Sequence, residues 1–401
     1  MRTRALFVTR PLDYPRRVSR HFRQKTGEEQ RATWLELFFD LVYVFAVTQL
    51  SHALLADLSI AGALKTLFLL LVIWWAWNYT TWMANWFDPD AVPVRVVLLG
   101  VMLASLLMAA AVPNAFGGDG LLFAAAYVAL QVGRNTFNVV VADHGSTFDL
   151  SFRRILAWSV ASAPLWLAGG VVEGRARVVL WLAALALDYA GPYARYWTPG
   201  LGRSATADWS IEGAHFAERF QLFVIIALGE SIVVTGATAS ARGISAITVA
   251  GLAACFVSSA ALWWLYFDKV AVHAQARLSS AGDDAGRLAR DAYTYLHLPI
   301  VAGVVLAAVG DELVIAHPGH EASLWQSVAV AGGAALYLIG HLLFRYCMVR
   351  STSDVRIVAV ALLLLLVPLG TAVPLLAIGI ATAAVLVGLV AVEQSPRLSR
   401  M

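Results

Sequence analysis

Only 14% of the 401 residues are charged and 60% are hydrophobic, where an ordinary soluble chain carries about 25% charge; the mean hydropathy is +0.71. A water-soluble fold of this length needs more polar surface than that, and the same composition excludes disorder, collagen and a disulfide scaffold (Gly 30, Pro 13, Cys 2). The net charge of +3 is too small to make nucleic acid a partner, so the composition describes a polytopic membrane protein whose partner is the lipid bilayer.

Residues 1–31 contain nine Lys or Arg and no apolar stretch before Trp34. That is the pattern of a basic cytoplasmic tail and not of a cleaved leader. Apolar segments of about 20 residues then follow, the length a helix needs to cross a bilayer. They cover 34–55, 60–82, 93–113, 120–142, 154–173, 176–196, 213–237, 244–268, 291–311, 323–347, 354–371 and 372–393. The last two meet around Leu369–Pro374 with almost no loop and could be one segment broken by Pro368 and Pro374. Placing twelve spans in alternation puts 23 Lys and Arg on the side of the amino terminus and 4 on the other, with Arg134 and Arg219 inside spans. This asymmetry predicts both termini, including the short tail 394–401, on the cytoplasmic side. Trp34, Trp82, Trp86, Trp197 and Trp209 fall near span ends, as headgroup-level indoles would. Trp74, Trp75, Trp77, Trp263 and Trp264 fall deeper and are expected to pack between helices.

The two halves of the chain echo each other. Glu36 and Phe38 of the first span align with Glu218 and Phe220 of the seventh. Trp74-Trp75-Ala-Trp77 of the second aligns with Trp263-Trp264-Leu-Tyr266 of the eighth, Gly133-Arg134 with Gly340-His341, and Arg154-Ile155 with Arg356-Ile357. The expected fold is therefore an all-α transmembrane bundle of two parallel six-helix repeats, 32–200 and 210–393. Carriers built this way bind substrate near mid-membrane between the halves.

Ionisable side chains inside spans carry the chemistry, because each must be paired, neutral or wet. Glu36 and Asp40 are four apart and so share one helix face, which Tyr43 continues; Gln49 and His52 follow. His215 and Arg219 share a face of the seventh span, with Glu218 and Gln221 on a neighbouring one and Glu230 further along. Arg134 is the expected counter-charge of Asp40 or Glu36, and His341 takes the corresponding place in the second half. These residues predict a proton or ion pathway through Glu36, Asp40, Glu218, Glu230 and His215, balanced by Arg134 and Arg219. The competing expectation is that the charges only fix helix packing. A lipid-acting enzyme using Asp40 or Glu230 ranks below both, because no nucleophile–base pair is legible. The loop His317-Pro-Gly-His320-Glu321 matches no tight zinc spacing, and nucleotide-binding glycine motifs are absent from the sequence; neither a metal nor a cofactor is expected. Cys255 and Cys347 read as packing residues, and the oligomeric state, a homo-oligomer included, is open.

The run Trp34-Leu-Glu36-Leu-Phe38-Phe39-Asp40-Leu-Val-Tyr43 resembles the opening signature of the bacterial low-temperature-requirement A (LtrA) family. His215-Phe-Ala-Glu218-Arg219-Phe220, continuing to Gly229-Glu230-Ser231, resembles its second signature. The resemblance covers roughly residues 30–393 and implies a multi-pass protein of the bacterial inner membrane linked to growth in the cold. It names no substrate and no enzymatic activity.

Overall fold

A computed structural model describes residues 22–23, 31–205 and 208–395. Arg2, Arg4, Arg10, Arg16, Arg17, Arg20, Lys25, Arg397 and Arg400, which carry much of the expected cytoplasmic charge, lie outside the described residues.

Every predicted span is helical. The first half contains α1 (Trp34–Ala56), α2 (Ile60–Trp86), α3 (Val92–Ala110), α4 (Gly120–Val141), α5 (Thr147–Val171) and α6 (Gly174–Tyr193). The second contains α7 (Gly213–Arg242), α8 (Ala246–Phe267), α9 (Val270–Ser279), the short α10 (Ala285–Leu288) and α11 (Leu298–Ala316). It continues with α12 (Leu324–Ser327), α13 (Gly333–Val349), α14 (Asp354–Gly370) and α15 (Leu375–Gln394). Among the described residues, eight helical segments are long and apolar enough to cross a membrane: α1, α2, α3, α7, α8 with α9, α10 with α11, α12 with α13, and α15.

Local chemistry sets the boundaries. Thr33 and Glu36 form a reciprocal capping box at the start of α1. Helix α5 starts at Thr147, well before the expected 154, because the Ser146 hydroxyl accepts from Asp149 N at 3.1 Å. Helix α3 stops at Ala110, short of the expected 113, where Pro113 tightens the chain into a 3-10 turn. The ninth predicted segment opens as a π-helical stretch, Ala289–Tyr295, and the α-helix resumes only at Leu298, with Pro299 in its first turn. The last two segments are separate helices that pack on each other, with Pro374 as the N-cap of α15. The loop after α11 latches this corner, since Leu375 N donates to His320 O at 3.0 Å and Leu376 N to Pro318 O at 3.1 Å.

The bundle turns large apolar side chains outward, among them Leu64, Leu103, Val160, Leu182, Val257 and Leu365, and encloses Asn78, Thr80, Thr81, Asn135 and Thr294. That distribution suits a lipid solvent. Trp74, Trp75 and Trp77 are buried as expected, whereas Trp263 and Trp264 face outward at 46% and 44% exposure. The second pair thus contradicts the deep packing its alignment with the first suggested. Trp82 and Trp86, expected at the rim, are buried, because α2 runs on to residue 86 and its last turn is covered by Phe148, Phe152, Trp209 and Phe216.

Neighbour relations recur along the chain. Helix α1 packs on α2 and α3, α3 on α4, α4 on α5 and α5 on α6; α7 packs on α8 and α11, α11 on α13, α13 on α14 and α14 on α15. Small residues bring α11 and α13 together. A Cβ on Gly303 would lie 2.4 Å from Tyr337 N, and one on Gly340 would lie 2.7 Å from Ile300 N, so only glycine permits this backbone approach. Helix α1 meets α7 and α11 across the middle of the molecule.

Candidate functional site

The candidate site lies where α1 crosses α7. Glu36 is in the first turn of α1 yet is only 1% exposed. Its Oε2 accepts from Arg23 Nη2 at 2.8 Å, Thr33 N at 2.8 Å and Thr33 Oγ1 at 3.0 Å, and its Oε1 lies 2.9 Å from His215 Nε2. Asn85, at the end of α2, orients that imidazole. Its Oδ1 accepts from Glu212 N at 2.9 Å and its Nδ2 donates to Glu212 O at 3.0 Å, which fixes the amide orientation. The same Nδ2 lies 2.9 Å from His215 Nδ1. An NH₂ group facing Nδ1 makes that atom the acceptor, so the neutral ring carries its proton on Nε2 and donates it to Glu36.

One turn further along both helices, Asp40 Oδ1 accepts from Arg219 Nη2 at 2.8 Å and from Trp77 Nε1 at 2.9 Å. Both charged residues are buried, and the guanidinium lies 5.8 Å over the Phe39 ring. Asp40 Oδ2 and Arg219 Nε and Nη1 have no hydrogen-bond partner among the described residues. A monodentate pair with three unsatisfied polar atoms is poorly compensated for its desolvation.

A family model for "Bacterial low temperature requirement A protein (LtrA)" matches residues 31–391, which take in both helices of this crossing. The chain belongs to the LtrA family. It is also similar to Uncharacterized protein RA0937 of Rhizobium meliloti (strain 1021), at 39% identity over 322 residues covering 79% of this chain and 78% of that one. No solved structure matches the chain.

The structure of this LtrA protein divides the expected site residues into separate groups. Glu36, Asp40, His215 and Arg219 come together. Glu218 does not join them; it is half-buried and accepts from Ala32 N at 2.9 Å, fastening the entry of α1. Glu230, buried on α7, meets Thr48 and lies near the exposed His52 of α1, with Glu312 of α11 nearby. Glu230 Oε1 and Glu312 Oε2 are both unpartnered among the described residues. Tyr43 pairs with Ser105 at 2.9 Å, Gln221 with Gln275 at 3.2 Å, and Gln49 is half-buried.

Arg134 is not the counter-charge of Asp40 or Glu36. It is buried on α4, where it donates to Thr80 Oγ1 at 3.1 Å, to Ala76 O at 3.3 Å and to Gln131 Oε1, and no carboxylate among the described residues pairs with it. The rotation of α4 aims it at the polar side of α2, while Arg219 occupies the place it was expected to fill. His341 likewise serves another group: its Nδ1 lies 2.9 Å from Arg356 Nη1, and that guanidinium grips Glu393 at 2.7 and 3.0 Å. Arg356 was counted with the loop charges but is buried.

Asn85 and Trp77 are the functional neighbours that sequence reasoning missed. The equal spacing of Glu36/Asp40 and His215/Arg219 was the signal that could have paired α1 with α7. Among the described residues no group of three His, Cys, Asp or Glu is placed to hold a metal ion.

Proposed function

We propose that this LtrA protein is a twelve-span inner-membrane carrier or conductor of a small ion or solute, with protons taking part. Its termini lie in the cytoplasm, and its halves, 32–200 and 210–393, are parallel six-helix repeats. The recurring neighbour order of the helices supports the repeat, and the arginine asymmetry of the sequence supports the orientation. The single observation that carries the functional reading is the Asp40–Arg219 contact. It is an ion pair out of reach of solvent, at the crossing of the first helices of the two halves, with a carboxylate oxygen and two guanidinium nitrogens unsatisfied among the described residues. Groups so placed gain most from a proton, an ion or a polar guest.

Purified protein in liposomes loaded with a pH-sensitive dye tests the reading. Flux under an imposed pH or cation gradient is expected in the wild type, with at least about a tenfold loss in Asp40→Asn and Glu36→Gln, the scale of removing one well-placed polar contact. No flux under any gradient, or flux unchanged in both variants, overturns it.

A second reading is favoured by the packing around the pair. Trp77 lies 4.9 Å from Phe220 and 4.4 Å from Phe223, closing the site with aromatic rings. On this reading the charges set helix register in a protein that does not transport. A deletion strain then keeps normal ion content, while Glu36→Gln lowers the melting temperature in detergent.

A further inference from the structure

Away from the α1–α7 crossing, a partly open crevice enclosing about 50 Å³ lies between the end of α2, the turn that follows α6, and the π-helical stretch before α11. Its walls include Trp82, Trp86, Trp209 and Tyr196, and Arg195 and Arg290 stand among them.

The polar groups here are unequally satisfied. Trp82 Nε1 donates to Thr294 Oγ1 at 3.2 Å and Trp86 Nε1 to Ser210 O at 3.0 Å, so those indoles are already committed. Arg290 pairs with Asp291 at 2.7 Å. The Tyr196 hydroxyl has no hydrogen-bond partner among the described residues, although the residue is only 5% exposed. Arg195 forms no ion pair among the described residues. Both Arg195 and Tyr196 sit in the left-handed region, at φ 53° and 48°. Holding two consecutive non-glycine residues there is unfavourable, yet both line the same apolar crevice, one with an exposed cation and the other with a buried hydroxyl.

We propose that this crevice binds an anionic phospholipid, with the phosphate between the Arg195 guanidinium and the Tyr196 hydroxyl and the glycerol and first acyl carbons against the indoles. Charge complementarity points to an anion. The apolar walls point to an amphiphile and away from a free inorganic ion. The crevice also lies at the helix ends that carry the arginine-rich loops, where indoles and guanidinium groups meet lipid headgroups. The site is separate from the α1–α7 crossing and does not depend on the transport reading.

Native mass spectrometry of the delipidated full chain, offered equimolar phosphatidylglycerol and phosphatidylcholine, tests the proposal. Wild type is expected to retain phosphatidylglycerol about tenfold better. The doubly substituted Arg195→Gln, Tyr196→Phe protein is expected to lose that preference while keeping the same circular dichroism and the same melting temperature in phosphatidylcholine. Equal retention of the two lipids by wild type overturns the proposal without recourse to any variant. A preference that survives in the folded double variant overturns it as well. So does displacement of the bound lipid by micromolar 1-naphthoate, which would make a soluble aromatic anion the occupant.

Discussion

Asp40 and Arg219 meet through one hydrogen bond of 2.8 Å, one turn beyond the 2.9 Å contact of Glu36 with His215, and both contacts join residues 179 apart in the chain. The equal separation means that α1 and α7 run in the same direction and engage as a ladder of two rungs.

That ladder makes the charges interdependent. Removing one partner of a buried pair leaves the other uncompensated, so Asp40→Asn and Arg219→Gln should each destabilise by about 3 kcal/mol. The double variant Asp40→Leu, Arg219→Met should recover most of that loss. A double-mutant cycle of thermal unfolding in detergent measures the coupling. Strictly additive losses would show that the two side chains do not interact.

The Asn85 amide gives the histidine a spectroscopic signature. Nitrogen-15 spectra of histidine-labelled protein should show His215 as the tautomer protonated at Nε2. A wild-type spectrum with the proton on Nδ1 would reverse the direction of the Glu36 hydrogen bond.

Glycines separate close packing from free surface. Gly303→Ala places a methyl against the Tyr337 backbone and should destabilise by about 1–3 kcal/mol or prevent folding. Gly100→Ala on α3 meets nothing within 4 Å and should be neutral or stabilising, since alanine is the better helix former by about 1 kcal/mol. Melting temperatures of the two variants, side by side in one detergent, decide this.

The helices were largely legible from the sequence because apolar runs of membrane length admit few other structures. Their ends were less so: Ser146 as a cap and Pro299 as a restart each moved a boundary. The importance of Glu36, Asp40, His215 and Arg219 was also legible, since charges in apolar runs are rare. Their pairing was not. Partner choice depends on how each helix is rotated about its axis, and nothing local distinguishes Arg134, which turns to Thr80 and Ala76, from Arg219. The outward-facing Trp263 and Trp264 teach the same lesson, because a repeated motif conserves letters more readily than it conserves faces.

The two-rung ladder also limits how α1 and α7 can move. A small slip would break both rungs at once, parting Glu36 from His215 and Asp40 from Arg219, so a change of register favours a jump that sets new partners opposite one another. The first jump available is four residues, about 6 Å at 1.5 Å per residue, which would bring Arg219 level with Glu36 and leave Asp40 facing Phe223.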